Sequence, residues 1–347
     1  MHPMQTYFLH PNGISAQERE VPTPGPSDIV VRVKAASLNK RDLFIQAGTY
    51  PIAPRSGVVP LSDGAGEVVA VGGHVKRFSI GDRVAGNYFA RWKSGPIGYD
   101  VFDQLGCTLD GMLAEYTVLH EEWAVRVPAH LTWLEAATLP CAGVTAWNCV
   151  AGAVPIVAGQ TVLVLGSGGV SLFALQLAKA MGARVLATTS SDEKGHRLKA
   201  LGADAVINYC HEPEWGKAVR AVTGGAGVDL VVETFGADTI EQSIRAVGLH
   251  GQVMLLIARG VHKANIEISS QAYGASMATI RRVFVGNRDS FEAMNRALTE
   301  HQIRPVIDSV FPFAQSQEAY RHFERGQSFG KVVISMEATG RDSCSSH

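Results

Sequence analysis

The most constraining feature of this chain is a glycine-rich turn between an apolar segment and an amphipathic one. Thr161–Leu165 is an apolar run typical of a buried β-strand, and residues 172–181 repeat apolar side chains with helical spacing. Between them lies Gly-Ser-Gly-Gly-Val-Ser, from Gly166 to Ser171. A strand, a glycine turn and a helix in this order predict a site for the pyrophosphate of a dinucleotide, because the helix N-terminus offers free N–H groups to an anion.

Each position of this turn has an expected role. Gly166 makes the tight turn, Gly168 lets the backbone approach the pyrophosphate, and Ser171 replaces the third glycine of the usual pattern with another small residue. We expect the cofactor to be bound by Gly166, Ser167, Gly168, Gly169 and Val170. A glycine turn in another kind of α/β domain is the alternative. An alternating β/α array favours the dinucleotide site, since further apolar runs follow at Arg184–Thr188, Ala205–Ile207, Val228–Glu233 and Gln252–Ile257.

Length and charge restrict the class of protein. A chain of 347 residues is long for one core and predicts two domains. The formal net charge is −1 and no long basic run is present, so nucleic acid and anionic membranes are not expected partners. The uncharged stretch from 136 to 178 is interrupted by prolines and glycines, which indicates buried core and not a membrane helix. The expected partner is a small-molecule substrate.

The cysteines and the N-terminus indicate the compartment. The five cysteines are scattered without Cys-x-x-Cys spacing, which favours a reducing compartment and argues against a disulfide framework or a structural zinc lobe. The first residues carry neither a basic nor an apolar segment of a signal peptide. We therefore expect a cytoplasmic protein.

The pattern along the chain changes twice. The first third is predicted to be rich in strands, with Ile29–Ala35 and Gly64–Val71 as examples, and Arg91–Asp110 is predicted to be a long loop. Alternating β/α structure then continues to about residue 287, followed by an amphipathic helix at Phe291–Thr299. The last strands are predicted to return to the first domain, at Pro305–Phe313 and Lys331–Ser335.

The chain resembles the medium-chain dehydrogenase/reductase superfamily, especially its zinc-free, quinone-oxidoreductase-like branch. The segments that carry this resemblance are Leu38-Asn39-x-x-Asp42, the glycine-rich run from Gly64 to Gly72, Gly81–Val84, Ala136–Pro140, Thr145–Trp147, Leu201–Asp204, Val206–Tyr209 and Phe329–Val333. The resemblance implies an α/β fold in which a Rossmann doubly wound parallel sheet (133–288) is inserted into a GroES-like partial β-barrel catalytic domain (1–132 plus 289–347). It also implies a cleft between the two domains and a homodimer or homotetramer.

The resemblance also bears on zinc. Zinc-dependent members hold a catalytic zinc with Cys, His and Cys, and the zinc polarises the carbonyl oxygen. These ligand positions fall on Asn39, Ser62 and Cys141, so poor zinc ligands replace two of the three. Asp63 with Cys141 would still fall short of three ligands, and the structural-zinc cysteines are missing too. The sequence therefore predicts no metal, and a zinc alcohol dehydrogenase with an atypical site is the alternative.

The coenzyme is predicted from the residues after the second strand. An NAD site of this type has an acidic residue about 20 residues past the glycines, bound to the ribose 2′-hydroxyl. Residues 188–191 are Thr-Thr-Ser-Ser and offer no carboxylate there. In the resembling reductases a small residue, a lysine and a tyrosine bind the 2′-phosphate, which corresponds to Ser190, Lys194 and Tyr209. Ser190 with Glu193 is alternatively a helix capping box. We expect NADP (NADPH) in preference to NAD, although two neighbouring acidic residues oppose a phosphate.

Without zinc, hydride transfer to a carbonyl, enone or quinone needs a hydrogen-bond donor for the substrate oxygen and a proton source. The candidates are Asn39, whose amide can donate, together with Lys40 and Tyr50. Lys40 would serve if burial lowered its pKa, and a surface charge is the alternative. Asp42 either orients its neighbours or is an acid at a helix N-terminus. Trp92 either walls the substrate pocket or packs in the core.

Three further assignments rest on the resemblance alone. Thr145 would face the nicotinamide and pyrophosphate, Ala258 would meet the carboxamide, and Lys331 would reach the pyrophosphate. The predicted function is an NAD(P)H-dependent oxidoreductase that acts on a small apolar substrate without zinc. An alternative of another class is an NADPH-binding structural or sensing protein with little catalysis, because the binding motif is clearer than the catalytic set.

Overall fold

The computed structural model describes residues 3–11, 13–257 and 259–337. Its strands, in chain order, are β1 (Met4–His10), β2 (Gly13–Arg19), β3 (Asp28–Ser37), β4 (Asp63–Val71), β5 (Arg83–Gly86), β6 (Tyr116–His120), β7 (Ala124–Arg126), β8 (Thr161–Leu165), β9 (Arg184–Thr189), β10 (Ala205–Asn208), β11 (Val228–Glu233), β12 (Val247–Leu255), β13 (Thr279–Arg282), β14 (Ile307–Pro312) and β15 (Lys331–Ser335).

The α-helices are α1 (Lys40–Gln46), α2 (Trp133–Ala136), α3 (Val144–Ala151), α4 (Gly169–Ala180), α5 (Asp192–Ala200), α6 (Trp215–Val222), α7 (Ile240–Ala246), α8 (Ser270–Ser276), α9 (Arg288–Glu300) and α10 (Ser316–Glu324). Short 3₁₀ turns lie at Tyr99–Val101, Glu121–Trp123, Gly236–Asp238 and Phe313–Gln315, and a π-helical turn lies at Leu139–Gly143. Within the described ranges, no helix combines the length and the apolar character that crossing a membrane requires.

The chain forms two compact units. The central unit is Gly143–Val285, and the flanking unit contains the described residues up to Ala142 and from Gly286. The central unit has a parallel sheet in the order β10-β9-β8-β11-β12-β13, with its helices connecting successive strands. Strand order reverses between β8 and β11, which is the position where open α/β sheets bind dinucleotides. The predicted Rossmann sheet is confirmed.

The flanking unit has a mainly antiparallel sheet in the order β14-β15-β3-β4-β5-β7, and β6 also pairs with β3. Its core contains buried aliphatic and aromatic side chains from these strands and from α10. β15 pairs antiparallel with β3, so the end of the chain returns to the sheet that its beginning formed. This is the GroES-like domain, and the predicted return of the last strands is confirmed.

The units divide at different residues from those we predicted. The predicted inserted domain was 133–288, whereas the central unit is Gly143–Val285. The reason is that α2 contacts β3, β4 and β15, and the Ser37 hydroxyl donates to the carbonyl of Ala137 (3.0 Å). The sequence gives no sign of this boundary, because the stretch is uncharged and similar in composition on both sides of it.

Candidate active site and cofactor site

The glycine turn of the central unit has the geometry expected of a pyrophosphate site. Gly166 has a φ of +70°, a conformation that favours glycine, and its N–H donates to the carbonyl of Thr188 (3.1 Å). Gly168 precedes α4 in an extended conformation, and a Cβ built there would meet no atom within 4 Å. The turn therefore leaves open space before a helix of 12 residues, and these residues fit the pyrophosphate of a dinucleotide.

Ser171 replaces the third glycine for a physical reason that the structure makes clear. The residue is 1% exposed, and its hydroxyl donates to the carbonyl of Leu165 (2.6 Å) at the end of β8. The serine thus closes the turn with a hydrogen bond that glycine could not make. The degenerate glycine pattern is compatible with the dinucleotide turn.

Two acidic residues of the central unit were missed from the sequence. Glu233, at the end of β11, is fully buried and accepts hydrogen bonds from the N–H groups of Phe235 (2.8 Å) and Gly236 (3.0 Å). The hydroxyls of Thr239 and Ser243 also donate to it, although burial still raises the pKa of its carboxyl. Glu233 holds the loop after β11 in shape. An acid at the end of an apolar strand was the available signal.

Asp238 organises a second loop at the same edge of the sheet. Its carboxylate accepts hydrogen bonds from the backbone N–H groups of Val261, His262 and Lys263 (2.5–3.2 Å). These bonds lower the pKa of Asp238 against the opposing effect of desolvation. The loop that they fix follows Ala258, the residue predicted to meet the carboxamide, which itself lies outside the described residues.

The predicted 2′-phosphate residues lie at the ends of two neighbouring strands. Ser190 directly follows β9 and is exposed, Lys194 lies partly exposed on α5, and Tyr209 directly follows β10, where its N–H donates to the carbonyl of Thr189 (3.0 Å). Since β9 and β10 are parallel neighbours, all three residues lie at one edge of the sheet.

The capping alternative for Ser190 is wrong. The N-cap of α5 is Ser191, whose hydroxyl accepts from the N–H of Lys194 (3.3 Å). Ser190 is therefore free of the capping role, and the sequence pattern was displaced by one residue. Asp192, the first residue of α5, accepts a hydrogen bond from the side-chain amide of Asn208 (2.8 Å).

The flanking unit contains a buried polar cluster around Lys331, which is 3% exposed. The Lys331 ammonium group donates to the carbonyl of Leu38 (2.6 Å) and to Asn39 Oδ1 (2.5 Å), and lies 3.8 Å from Asp63 Oδ2. Asn39 Nδ2 is buried and makes no hydrogen bond of normal geometry to any described residue, although the amide is close enough to lower the pKa of Asp63. The pyrophosphate role of Lys331 stays a prediction, and these contacts give the ammonium group another partner.

The three positions that hold zinc in zinc-dependent members come together here. The Ser62 hydroxyl donates to Asp63 Oδ1 (2.7 Å), and the N–H of Cys141, from the π-helical turn, donates to Asp63 Oδ2 (3.2 Å). Burial raises the pKa of the Cys141 thiol well above its ordinary value, and burial also raises the pKa of Asp63. Within residues 3–11, 13–257 and 259–337, no group of three His, Cys, Asp or Glu side chains could hold a metal ion.

Lys40 does not have the environment that a lysine acid would need. The residue is exposed at the start of α1, and its ammonium group lies over the ring of Phe44, 5.9 Å from the centroid. The condition for its catalytic role was burial, which the structure contradicts. The surface-charge alternative describes Lys40, because α1 directs the first residue of its N-terminal turn to solvent.

Tyr50 takes part in a network of hydroxyl groups. Its hydroxyl lies 3.0 Å from that of Tyr88 and donates to Gln104 Oε1 (2.9 Å), and Tyr88 donates to the same oxygen (3.0 Å). The Arg41 guanidinium lies over both rings, 5.6 Å from the Tyr50 centroid and 4.8 Å from that of Tyr88. Tyr88 is buried and Tyr50 is partly exposed, so Tyr50 is the member of the pair that faces outward.

Trp92 and Thr145 are both largely buried. The Trp92 indole N–H donates to the carbonyl of Gly95 (3.0 Å), and its ring meets that of Phe89 edge to face at 5.8 Å. These contacts fit the packing alternative, and a wall of the substrate pocket stays a prediction. Thr145 is 5% exposed on α3, and its role toward the coenzyme also stays a prediction.

Asp42 contacts both Asn39, from the polar cluster around Lys331, and Arg41, which lies over the rings of the Tyr50 network. Its carboxylate accepts from the backbone N–H of Asn39 (2.8 Å) and lies 3.4 Å from the Arg41 guanidinium. Desolvation raises the pKa of Asp42 to about 6, although Arg41 and Lys331 lower it. Asp42 is therefore both an acid in the first turn of α1 and a residue that orients Asn39 and Arg41, so the two alternatives are compatible.

Comparison with known proteins identifies the class. Residues 25–129 match the alcohol dehydrogenase GroES-like domain, and residues 169–300 match the zinc-binding dehydrogenase domain. The chain is 40% identical to a zinc-type alcohol dehydrogenase-like protein of Schizosaccharomyces pombe, covering 93% of this chain and 95% of that protein. It is 31% identical to a quinone oxidoreductase of Pseudomonas aeruginosa, covering 93% and 96%.

A solved structure of an NAD-dependent alcohol dehydrogenase superimposes with a TM-score of 0.87 at 32% identity, covering 96% of this chain and 100% of that one. The fold and these relatives define an oxidoreductase of the nicotinamide-dependent type. The chain belongs to the medium-chain dehydrogenase/reductase superfamily, and within it the chain is similar to alcohol dehydrogenases and quinone oxidoreductases.

The open space at Gly168 gives a test of the coenzyme turn. We expect Gly168→Ala to weaken coenzyme binding about tenfold or more, because the methyl group would occupy the space through which the backbone approaches the pyrophosphate. The free energy of unfolding should fall by at most about 1 kcal/mol, since alanine is only a poorer N-cap there. Fluorescence titration with NADPH and NADH, and urea unfolding, measure the two effects. Gly73→Ala, also in open space, is the control, and unchanged affinity in Gly168→Ala would contradict the assignment.

The raised pKa of Asp42 predicts a pH dependence of stability. A carboxyl whose pKa is higher in the folded protein than in the unfolded chain stabilises the fold while protonated, and this contribution is lost as the pH rises through the folded pKa. With a folded pKa of about 6 against 3.8, the loss between pH 5 and 7.5 is about 1.4 kcal/mol.

We therefore expect the free energy of unfolding of the wild type, relative to that of Asp42→Asn, to fall by this amount over that range. Urea unfolding at several pH values checks it. A constant difference between the two proteins would show that Asp42 does not titrate in this range.

Proposed function

We propose that this oxidoreductase reduces a small apolar carbonyl, enone or quinone with NADPH and without zinc. The observation that carries the proposal is a buried polar cluster in which the Lys331 ammonium group donates to Asn39 and lies 3.8 Å from Asp63, the carboxylate that Ser62 and Cys141 also contact. Positive charge is therefore already present among the side chains at the positions that hold zinc in zinc-dependent members.

The donor set supports the absence of zinc. Asn39 Oδ1 accepts a hydrogen bond from Lys331 and the Ser62 hydroxyl donates a hydrogen bond to Asp63, so Cys141 is the one position of the three whose side chain is a common zinc ligand. Zinc needs a thiolate, an imidazole or a carboxylate at three positions of such a site. The residues present do not fit the metal, so other groups must stabilise negative charge on the substrate oxygen and supply a proton.

The chain's own residues can supply that chemistry. The coenzyme, bound at the glycine turn, would supply the hydride. Asn39 Nδ2 is a buried donor without a hydrogen-bond partner of normal geometry among the described residues, and it would donate to the substrate oxygen as negative charge develops there. An unpaired buried donor is costly unless a ligand provides the acceptor.

Tyr50 is the proposed proton donor. When its hydroxyl gives a proton to the substrate, the Tyr88 hydroxyl can turn from Gln104 to the new phenolate. The Arg41 guanidinium above the ring stabilises the same negative charge. The buried hydroxyl and the cation thus support one proton transfer at the exposed member of the network.

The proposed preference for NADPH rests on the residues at the carboxyl ends of β9 and β10. Ser190 is exposed and Lys194 is partly exposed there, so a hydroxyl and an ammonium group are available for a 2′-phosphate, and Tyr209 lies at the end of the neighbouring strand. No carboxylate occupies positions 188–191 to bind the 2′-hydroxyl of NAD. We also propose a homodimer or homotetramer, as the resemblance implies, and a cytoplasmic location, which the scattered cysteines favour.

Turnover after metal removal tests the function. The purified chain is dialysed against EDTA and 1,10-phenanthroline, and NADPH and NADH oxidation is measured with 2-cyclohexenone, quinones and aldehydes. We expect activity within about twofold of the untreated protein, since no metal ion polarises the substrate, and little zinc by mass spectrometry.

Two other results would replace the proposal. Stoichiometric zinc with activity lost on chelation would identify an atypical zinc alcohol dehydrogenase. Saturable NADPH binding without turnover of any substrate would identify a binding or sensing protein.

Lys194 gives the test of coenzyme choice. We expect Lys194→Ala to weaken NADPH binding about tenfold or more, equal to about 1.4 kcal/mol, while NADH binding changes less than about twofold. Fluorescence titration with both coenzymes measures this. Lys199→Ala, which removes an exposed lysine from the same helix, is the matched control. Equal weakening of the two coenzymes would reject the assignment.

A further inference from the structure

Lys331 is a buried charged residue of the flanking unit, with 3% of its surface exposed. Burying an ammonium group carries a desolvation penalty of several kcal/mol, which a close carboxylate and full hydrogen bonding must offset. The nearest carboxylate, Asp63, is 3.8 Å away, beyond normal hydrogen-bonding distance, and the two short bonds of Lys331 are to neutral oxygens. An apolar side chain at the same position, the start of β15, would carry no such desolvation penalty. The fold alone therefore does not explain why a positive charge is buried there.

The contact with Asn39 supplies one. An amide side chain can turn over and exchange its oxygen and nitrogen, but a cation can bind only the oxygen. Because Lys331 holds Oδ1 at 2.5 Å, the orientation of the Asn39 amide is fixed, and Nδ2 is left without a hydrogen-bond partner of normal geometry among the described residues, although the amide is close enough to Asp63 to lower the pKa of that carboxyl. A cation on the carbonyl oxygen also polarises the amide and makes its N–H groups stronger donors.

We propose that Lys331 is a positioning residue of the catalytic site: its buried ammonium group fixes and polarises the Asn39 amide, so that Nδ2 binds the negatively charged oxygen of the substrate. The pair Lys331–Asn39 thus takes over the part that a metal ion plays in zinc-dependent members. This inference rests on the proposed function. It also gives Lys331 a different role from the pyrophosphate contact that the resemblance implied.

A double-mutant cycle tests whether Lys331 acts through Asn39. Removing one donor to a developing oxyanion lowers kcat about 100-fold or more. We expect that loss in both Lys331→Met and Asn39→Ala, with the dissociation constant of NADPH changed less than about threefold. The combined variant should be no worse than Asn39→Ala alone, because the lysine has no amide left to position.

The control is Lys34→Met on β3, which removes a lysine near the surface of the same unit and should leave kcat unchanged. Lys331→Arg keeps the positive charge, is expected to restore part of the activity, and in the Asn39→Ala background should have no effect. If Lys331→Met does not fold, the cycle is made with Lys331→Arg. Two results would overturn the proposal. In the first, the loss of kcat in the double variant equals the product of the losses in the two single variants. In the second, Lys331→Met weakens NADPH binding tenfold and leaves kcat unchanged, which would favour a direct contact with the coenzyme.

A second measurement needs no turnover. 4-Nitrophenol in the presence of NADP changes its absorbance when it ionises, so its apparent pKa in the site reports on the stabilisation of a negative oxygen. We expect that apparent pKa to lie below the value in water for the wild type and to return toward it in Lys331→Met and in Asn39→Ala.

The role of Lys331 would be overturned if the apparent pKa of 4-nitrophenol in the wild type equalled its value in water. It would also be overturned if the lowered apparent pKa were retained in both Lys331→Met and Asn39→Ala. If the shift is present but no enone, quinone or aldehyde is turned over, the proposed function fails while the positioning role stands.

Discussion

The hydrogen bonds of the Lys331 ammonium group join the two ends of the flanking unit. Lys331 begins β15, near the end of the described chain, and its partners Leu38 and Asn39 directly follow β3, almost 300 residues earlier in the sequence. The pairing of β15 with β3 brings these residues together, and the buried charge makes the junction specific, because an ammonium group without these oxygens would be left unpaired. The proposed electrophilic site is built on this junction.

The central unit depends on a different constraint, the close approach of backbone at the end of β8. Gly166 adopts a positive φ, Ser171 closes the turn through its hydroxyl, and Glu233 holds the neighbouring loop after β11 by accepting backbone and hydroxyl donors. The result is a set of turns at the carboxyl ends of β8 and β11 that hydrogen bonds hold in place, with open space at Gly168. Each unit therefore has its own fixed polar framework, one suited to an anion and the other to a developing oxyanion.

The relatives of this chain include proteins named for zinc and proteins named as quinone oxidoreductases. The difference between these chemistries can lie in very few side chains, because the fold holds the same positions together in either case. Asn39 and Ser62 correspond to the positions of thiolate and imidazole ligands in zinc-dependent members, and the Lys331 ammonium group contacts Asn39 and lies 3.8 Å from Asp63, the residue after Ser62. On the proposed function, the side chains of this cluster, and not the fold, determine which of the two chemistries the chain performs.

The sequence alone determined the fold class, most strand positions and the glycine turn, because apolar periodicity and glycine spacing are local properties. Thr161–Leu165 and Val228–Glu233 were predicted at their observed bounds. The exposure of Lys40, the capping of α5 by Ser191 and the position of α2 on the flanking sheet were decided by tertiary packing. The partnership of Lys331 with Asn39 was also out of reach, since it joins residues far apart in the chain and exists only where β15 pairs with β3.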